Sequence, residues 1–426
     1  MSVASIIEAN YLINGNSTSE LPPNLKVIGF LAKSAPKFVN PEQWRLDAIE
    51  RHLKNNKLDN MSCWQERLMY ALHCQERYKR GIPVDEAYLT AESNRLKVLE
   101  QSVRSNMPAE LFNKGKIDQL ALKRILPLST LRNWPVHCDR NGNRGLCFNN
   151  NSLKQIDHDI ARLLLAQKEV YSGRIIKGIS VKNNGLHNAH TLPYALATGR
   201  DNHTGSCIPF LPKKYREHVF NPKAGETLVL IDYEQQEPGI AASFANDQRL
   251  INLYLSGDIY ANFAADGMAR KQVKRQVLAH LYGQDKAFKT KVEQEVFACF
   301  NHYFNKVNDD LDRRASLAYE HKEMICHDWR MSVSNHSRIL SVRNWPIQTT
   351  GGVILRKACQ LLDEAKLPVI AAFHDAVLLK IPTSKLNEKI QLATQLMEDA
   401  SLFILQNLKL RVSVEAIYQR GKTNDK

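Results

Sequence analysis

Two aspartates, Asp232 and Asp375, each stand where a short apolar run ends. Asp232 follows the run LVLI (228–231), which is bounded by polar residues as buried strands are. Asp375 and His374 interrupt VIAAFHDAVLLKI (369–381), which predicts two strands joined by a tight turn. If these strands lie side by side, the two carboxylates face each other. Close carboxylates repel unless a cation lies between them, so the pattern predicts a divalent metal site.

Magnesium is the metal that this arrangement suits best. Mg²⁺ binds one or two carboxylates and completes its shell with substrate phosphates and water. Two such ions, about 3.5–4 Å apart, stabilise the attacking and leaving oxygens of a phosphoryl displacement. We therefore expect two Mg²⁺ ions at Asp232 and Asp375, with Mn²⁺ able to replace them. Two ordinary strand-end aspartates remain the alternative, and these two residues alone favour it.

A third segment, ARKQVKRQVLAHLYGQ, carries cations at helical spacing. Arg270, Lys274, Leu278 and Tyr282 recur every four residues, so a helix presents them on one broad face. The face begins with two cations and ends with an aromatic ring. A nucleoside triphosphate has the same polarity, since cations bind phosphates and aromatic rings stack on bases. A solvated basic face with a core tyrosine would give the same spacing.

Composition bounds the class of protein. The chain has 426 residues, which predicts two or three structural units. Its 58 basic and 44 acidic residues give a net charge of +14, typical of proteins with a polyanionic partner or of a surface charged for solubility. The eight cysteines form no CxxC pair, and no run approaches the roughly 18 apolar residues of a membrane helix. We expect a soluble, cytoplasmic protein that does not bind membranes.

The elements that must position these residues alternate between helices and strands. Helices are expected over 63–80, 159–179 and 385–408, and a last strand over 410–418. The region 104–187 is expected to be largely helical and residues 240–330 to be helical. The order of helices, strand, helices, hairpin, helix and strand predicts an α+β fold. The helices of 240–330 are then an insertion within a sheet domain.

Taken together, the strand aspartate, the segment Arg-x3-Lys-x7-Tyr-Gly and the hairpin His-Asp resemble family A DNA polymerases, the DNA polymerase I type. The resemblance runs from about residue 75 to the C-terminus. It implies a right-hand polymerase fold, with an antiparallel palm sheet and helical thumb and fingers. The implied domains are an N-terminal segment (1–74, an exonuclease-domain remnant or docking segment), the thumb with its connection to the palm (75–187), the first part of the palm (188–239), the fingers (240–335) and the second part of the palm (336–426).

The segment DYEQQE resembles the first palm motif of that family. The resemblance implies that Asp232 and the backbone carbonyl of Tyr233 bind the metal ions. Glu237 would be the steric gate that excludes a ribose 2′-OH, and Gln235 would lie beside the nucleotide. Asp375, in the motif His-Asp-Ala, would be the second catalytic carboxylate.

The basic helix resembles the fingers helix of the family. Arg270 and Lys274 would hold the incoming triphosphate, and Leu278 would contact the nucleotide. Tyr282 would lie by the templating base, and Gly283 would contact DNA.

Further motifs imply contacts with DNA. ATGRDN resembles the Thr-Gly-Arg segment before the palm, which makes Arg200 a minor-groove contact. RNWPIQTTGG resembles a DNA-binding helix of the family through Asn344 and Gln348, and His374 would approach the primer end. The implied partners are primer–template DNA and deoxynucleoside triphosphates.

Several residues depart from the family pattern. Ala376 stands where the third motif usually has glutamate, Leu278 where a Phe or Tyr is usual, and Tyr260 where a histidine is usual. No arginine follows Glu237. These changes indicate a divergent branch in which we expect activity to survive.

The N-terminal region bears on proofreading. The first 75 residues contain no Asp-x-Glu motif, and neither an exonuclease domain nor a 5′-nuclease domain fits there. We expect a monomer that extends primers without proofreading, unless a separate exonuclease or accessory replication subunit supplies it.

The function implied is that of a DNA-directed DNA polymerase, which adds deoxynucleotides to a primer 3′-OH by two-metal phosphoryl transfer. One alternative is a catalytically weakened polymerase fold that only binds DNA. Another is a His-Asp metal phosphohydrolase, although the dipeptide also occurs at 158–159 and 327–328. Roles in replication or repair, and copying of RNA templates, all remain open at this point.

Overall fold

The computed structural model describes residues 61–113, 116–138, 144–204, 208, 211–263, 270–282 and 291–420. Its α-helices are α1 (Met61–Arg80), α2 (Glu86–Asn106), α3 (Gln119–Ile125), α4 (Leu128–Arg132), α5 (Asn150–Lys154), α6 (Asp159–Gly173), α7 (Lys213–Val219), α8 (Gln236–Phe244), α9 (Gln248–Leu255), α10 (Ile259–Asn262), α11 (Arg270–Leu281), α12 (Lys291–His321), α13 (Ile339–Glu364) and α14 (Leu386–Leu405). Its strands are β1 (Ile82–Pro83), β2 (Phe112–Asn113), β3 (Lys116–Ile117), β4 (Val136–Cys138), β5 (Arg144–Leu146), β6 (Leu186–His187), β7 (His190–Leu192), β8 (Asn202–Thr204), β9 (Glu226–Tyr233), β10 (Glu323–Cys326), β11 (Trp329–Ser332), β12 (Val369–Phe373), β13 (Ala376–Pro382) and β14 (Val412–Gln419). Within these ranges, no helix combines the length and the apolar character needed to cross a bilayer.

The chain divides into two compact units. The first contains the described residues within Met1–Pro83, Leu186–Gly205 and Phe220–Lys426. The second contains those within Val84–Gly185 and Ser206–Val219. The palm, thumb and fingers boundaries drawn from the sequence stay predictions, and most of the N-terminal segment lies outside the described residues.

A four-stranded antiparallel sheet forms the centre of the first unit, in the order β12–β13–β9–β14. β9 lies between β13 and β14, and Leu228–Ile231 are fully buried, as the continuous apolar run predicts. The tight turn between β12 and β13 is the predicted hairpin. The register places Ala376 opposite Asp232 on one side of β9 and Ser413 opposite it on the other. Asp232 is therefore held in place by both neighbouring strands.

Helices α13 and α14 cover one face of this sheet. Alternate side chains of β9 and β13, such as Val229, Ile231 and Val377, join the core below these helices. The residues of β9, α8, α11, α12 and α13 belong to the same buried cluster. The helices of the predicted insertion therefore share a core with the sheet into which they are inserted.

The second unit is built on α2 and α6, with a smaller core that includes Leu122, Trp134 and Leu164. The sequence predicted a largely helical region here, but the structure also contains the short hairpins β2–β3 and β4–β5. The predicted helix over 159–179 ends at Gly173, whose backbone packs so tightly that an added Cβ would lie 2.5 Å from Leu96 Cδ1.

The prediction of a wholly helical 240–330 is wrong at its end, where β10 and β11 form a hairpin. Met324 and Cys326 are buried while Ile325 between them is exposed, which is the alternation of a half-buried strand. The run EMIC is only four residues long, too short for this pattern to stand out beside the long helix before it. His327, at φ 54°, supplies the left-handed turn.

Helix α1 is anchored to the end of α13 by one carboxylate. Asp363 accepts a bond from Arg80 Nη1 at 2.8 Å, lies 2.7 Å from His73 Nδ1 and 3.5 Å from Arg77 Nη2. Burial acts to raise the pKa of Asp363, but the bond to His73 and the charges of the arginines outweigh it and lower that pKa. The side chains of Asp363 and Arg77 are only 5% and 6% exposed, so this is a buried ion cluster.

We predict that Asp363→Asn lowers the free energy of unfolding by about 3 kcal/mol at pH 7, because it leaves buried cations without their counter-charge. Since folding lowers the pKa of Asp363, its stabilising effect is present above the unfolded pKa and is lost as pH falls through the folded one. Urea unfolding at pH 7 and in acid measures both effects. The control, Asp399→Asn, removes a carboxylate paired with Lys409 that is 44% exposed, and should cost less than about 1 kcal/mol. Equal effects of the two variants would contradict the prediction.

Candidate active site

The structure brings Asp232 and Asp375 together. Asp232 lies at the end of β9, and Asp375 lies in the turn that leads into β13. The backbone N–H of Tyr233 donates to the carbonyl of Asp375 at 3.1 Å, which ties the turn to the strand. The two carboxyl groups are close enough that each shifts the pKa of the other. Oδ1 of Asp232 is buried without a hydrogen-bond partner in the described part of the chain.

Both acids have pKa values above the usual value for an aspartate. Burial, and then the neighbouring charge of Asp375, raise the pKa of Asp232. Burial likewise raises the pKa of Asp375, although the charge of Arg200 opposes this. Without a cation, both groups therefore stay protonated to a higher pH than an isolated aspartate does.

These residues fit a divalent cation. Asp232 and Asp375 provide two adjacent carboxylates, one with an oxygen that lacks a partner. The Tyr233 side chain points into the core, where its hydroxyl donates to Met397 O at 2.6 Å, so its backbone is the part that lines the cleft. The described residues contain no group of three or more His, Cys, Asp or Glu that could hold a metal. The remaining ligands would thus come from substrate oxygens and water, as Mg²⁺ prefers.

A cleft of about 420 Å³ opens beside the acid pair. Eight residues proposed from the sequence line it: Asp232, Tyr233, Gln235, Glu237, Arg270, Lys274, Leu278 and Asp375. Asp258, Tyr260 and Ser413 also line it, although the sequence assigned them no role in the site. The cleft therefore brings carboxylates and cations together.

The two cations that line the cleft, Arg270 and Lys274, lie in the first turns of α11. Arg270 donates to Asp258 Oδ2 at 2.5 Å, and its guanidinium lies 5.3 Å from the centre of the Tyr260 ring. Lys274 Nζ lies 6.0 Å from the same ring. Asp258 also caps α10 by accepting from Tyr260 N at 3.0 Å. A buried tyrosine thus supports two cations, one of which is already paired with a carboxylate.

Glu237, in the first turn of α8, binds two other predicted site residues. The hydroxyl of Tyr282 donates to its Oε2, and Gln348 Nε2 donates to its Oε1 at 2.5 Å. Gln348 Nε2 also lies 3.3 Å from the Tyr282 hydroxyl. Burial, and then the charge of Glu237, raise the pKa of Tyr282. Tyr282, Glu237 and Gln348 therefore form one hydrogen-bonded set. Tyr282 follows α11, Glu237 is the predicted gate and Gln348 belongs to α13.

Arg200 extends this set. Its Nε donates to the backbone carbonyl of Gln348 at 2.8 Å, and burial lowers its pKa. Gly351 and Gly352 of α13 make room for it: a Cβ at Gly351 would lie 2.6 Å from Arg200 Nη2 and 2.5 Å from Gln236 Oε1. The sequence assigned no role to these glycines. A Gly-Gly pair weakens a helix, so its presence inside a long helix was the signal that a neighbouring group approaches closely there.

Other predicted residues are placed less directly. Gln235 lines the cleft, but its side-chain oxygen accepts from Ile259 N at 2.9 Å and so holds the start of α10. Asn344 Oδ1 is buried and has no partner among the described residues. His374 is exposed at the hairpin tip with φ 58°. Gly283 lies outside the described residues.

Comparison with known proteins gives weak but consistent sequence relatives. No family model matches the chain. DNA polymerase I of Aquifex aeolicus (strain VF5) is 22% identical over 391 residues, which cover 81% of this chain and 64% of the relative. Thermostable DNA polymerase I of Thermus thermophilus is 24% identical over 422 residues, covering 84% of this chain and 50% of the relative. The chain thus spans from half to just under two thirds of the length of these relatives.

A solved structure is similar over nearly the whole chain. The POL domain of Pol1 from M. smegmatis, in complex with DNA primer-template and dNTP, matches with a TM-score of 0.68 over 92% of this chain and 77% of that chain, at 20% identity. This chain has a polymerase-domain fold. The α+β polymerase architecture expected from the motifs is confirmed, and the DNA polymerase I relatives support the expected resemblance to family A. The roles of individual residues in this fold stay predictions.

We predict that Asp375→Asn stabilises the metal-free protein at alkaline pH, by on the order of 1–2 kcal/mol, because it removes repulsion between two half-buried carboxylates. The sign follows from the raised pKa values: the stability that protonation of the pair supplies is lost as pH rises through the folded pKa. The gap between variant and parent should therefore narrow as pH falls. Thermal unfolding in EDTA across pH measures it.

Mg²⁺ should reverse this order, since a cation that binds the folded parent stabilises it and the variant has lost a ligand. Asp309→Asn, which changes an exposed carboxyl of α12, is the control and should respond to neither pH nor Mg²⁺. A parent whose melting temperature does not change with Mg²⁺ would argue against a metal site at this pair.

Proposed function

We propose that this chain is a DNA-directed DNA polymerase that adds deoxynucleotides to a primer 3′-OH. The observation that carries the proposal is the cleft itself, which is lined by Asp232 and Asp375 and by the cations Arg270 and Lys274. A deoxynucleoside triphosphate needs both kinds of group, since its α-phosphate reacts and its outer phosphates must be neutralised. The fold and the sequence relatives support the same assignment.

The acid pair would hold two Mg²⁺ ions, with the Tyr233 carbonyl beside them. When bound, these ions would supply electrostatic stabilisation to the attacking and leaving oxygens. The chain's own contribution is to hold Asp232 on β9 and Asp375 in the turn that leads into the paired strand β13, so that the ligands need little rearrangement. Both carboxyl groups must be deprotonated before they can act as ligands.

The nucleotide would lie along α11. Arg270 and Lys274 bind the triphosphate, and Arg270 exchanges its bond with Asp258 for bonds to phosphate. Leu278 contacts the sugar and base, and Glu237 occupies the space that a 2′-OH would need. The bonds from Tyr282 and Gln348 fix the Glu237 side chain in one orientation, which is what a steric gate requires.

Primer–template DNA would be bound by residues around α13. Arg200, Asn344, Gln348 and His374 are the proposed contacts, and we assign the second compact unit to the thumb. The net charge of +14 suits contacts with the DNA backbone that do not depend on base sequence. We propose that the chain acts as a monomer in the cytoplasm.

One observation favours a second candidate, a weakened polymerase fold that binds DNA without extending it. Ala376 lies opposite Asp232, is 4% exposed and provides no carboxylate where the family usually has one. A His-Asp phosphohydrolase has no comparable support. His158 caps α6, and Asp328 binds Arg67, so neither further His-Asp pair contributes to the cleft.

We predict that Asp232→Ala and Asp375→Ala each reduce primer extension by at least about 1,000-fold while primer–template affinity changes by less than about threefold, because the carboxylates hold cations and not DNA. Single-nucleotide extension with Mg²⁺ or Mn²⁺, and fluorescence anisotropy of labelled primer–template, measure the two quantities. Asp309→Ala is the control and should behave as the parent. Full extension by either variant would refute the assignment, and a parent that binds DNA but extends nothing would favour the second candidate.

We predict that Glu237→Ala raises ribonucleotide incorporation relative to deoxynucleotide incorporation by roughly 10–100-fold, because space for a 2′-OH opens. The measurement is the ratio of kcat/KM for a matched rNTP and dNTP pair. Glu234→Ala is the matched control: it removes a glutamate of the same cleft that pairs with Arg411 at 3.1 Å. The gate assignment fails if Glu237→Ala leaves the ratio where Glu234→Ala leaves it.

A further inference from the structure

The loop that carries Arg200 connects β7 to β8, and an indole ring lies directly on it. Gly199 has φ +69°, and a Cβ at this position would lie 2.5 Å from Trp329 Cε2. Trp329, the first residue of β11, therefore contacts the loop backbone itself. Glycine is required here twice, for its left-handed conformation and for the approach of the ring.

Two arginines also lie against the indole. The Arg67 guanidinium lies 4.2 Å from the ring centre of Trp329, and Arg67 also binds Asp328 Oδ2 through Nη2 at 2.6 Å and Nε at 3.0 Å. Arg356 lies 5.6 Å from the same ring and donates to Gly199 O at 2.7 Å. Charge-assisted hydrogen bonds thus hold both arginines that contact the ring.

Helix α1 binds the same loop at a second place. The Tyr70 hydroxyl donates to Asp201 Oδ2 at 2.5 Å, next to Arg200 in sequence. Asp201 Oδ1 accepts from Tyr194 N at 3.2 Å, and the Tyr194 hydroxyl donates to Arg67 O at 3.0 Å. A helix far from the cleft in sequence therefore holds both ends of the loop.

Arg200 needs this support. Its Nε bond to Gln348 O fixes the start of the guanidinium, but the position of its backbone is set by the neighbours, Gly199 and Asp201. A side chain that recognises a groove must be held to within about 0.5 Å, and residues behind it usually provide that precision.

We propose that Trp329 is a positioning residue, which with Arg67 holds the Gly199 loop so that Arg200 meets the primer–template duplex. The inference rests on the proposed DNA-binding role of Arg200. It assigns function to the hairpin β10–β11 and to α1, neither of which reaches the cleft.

A cycle of variants tests whether Trp329 acts through Arg200. Primer–template affinity is measured by fluorescence anisotropy for the parent, Trp329→Ala, Arg200→Ala and the double variant. We expect each single change to weaken binding about 10-fold, and the double variant to bind no more weakly than Arg200→Ala alone. Trp329→Phe, which keeps a ring on Gly199, should restore most of the affinity. Ile325→Ala, in the same hairpin but 54% exposed, is the matched control and should bind as the parent.

Trypsin gives a readout that needs no DNA. The peptide bond after Arg200 lies in the supported loop, so the folded parent should be cut there slowly. Trp329→Ala should be cut at this bond about 10-fold faster, and Trp329→Phe and Ile325→Ala at the parental rate. Mass spectrometry of the fragments identifies the site, and an unchanged melting temperature shows that the rest of the fold is intact.

Two results would overturn the inference while leaving primer extension in place. One is additive losses in the double variant, which would mean that Trp329 does not act through Arg200. The other is parental affinity of Arg200→Ala, which would remove the DNA contact itself. Failure of the proposed function looks different, because the parent then extends no primer under any condition.

Discussion

The pairing of β9 with both β13 and β14 is the constraint on which the site depends. It fixes the backbone on each side of Asp232 and, through the bond from Tyr233 to the Asp375 carbonyl, also fixes the turn that carries the second acid. Two half-buried carboxylates then lie close together, and burial raises the pKa of both. A divalent cation between them would relieve the repulsion that arises when both are ionised.

Other elements of the first unit place cations and further polar groups around this pair. α11 opposes the acids with two cations supported on Tyr260, and α13 supplies Gln348 and the space for Arg200. Helix α13 packs on the sheet and also binds α1 at Asp363, so both the sheet and α1 determine its position. The residues around the cleft therefore owe their positions to elements that do not line it.

Some of this could be read from the sequence and some could not. The strand and hairpin around the acids were predictable, because continuous apolar runs and a two-residue interruption are local signals. The spacing of Arg270 and Lys274 is a local signal of the same kind. The hairpin at Trp329 was not, since its strands are short and follow a long helix. The close contacts at Gly199 and Gly351 depend on side chains distant in sequence, and only the fold brings those together.

The bond between Arg270 and Asp258 bears on how tightly the proposed triphosphate would be held. An anion that binds this arginine gains only the difference between the new pairing and the one it displaces. A change of residue 258 would therefore alter affinity for that anion without altering either carboxylate of the acid pair. The internal partner also keeps the arginine ordered before an anion binds, so that part of the entropic cost of binding is met in advance.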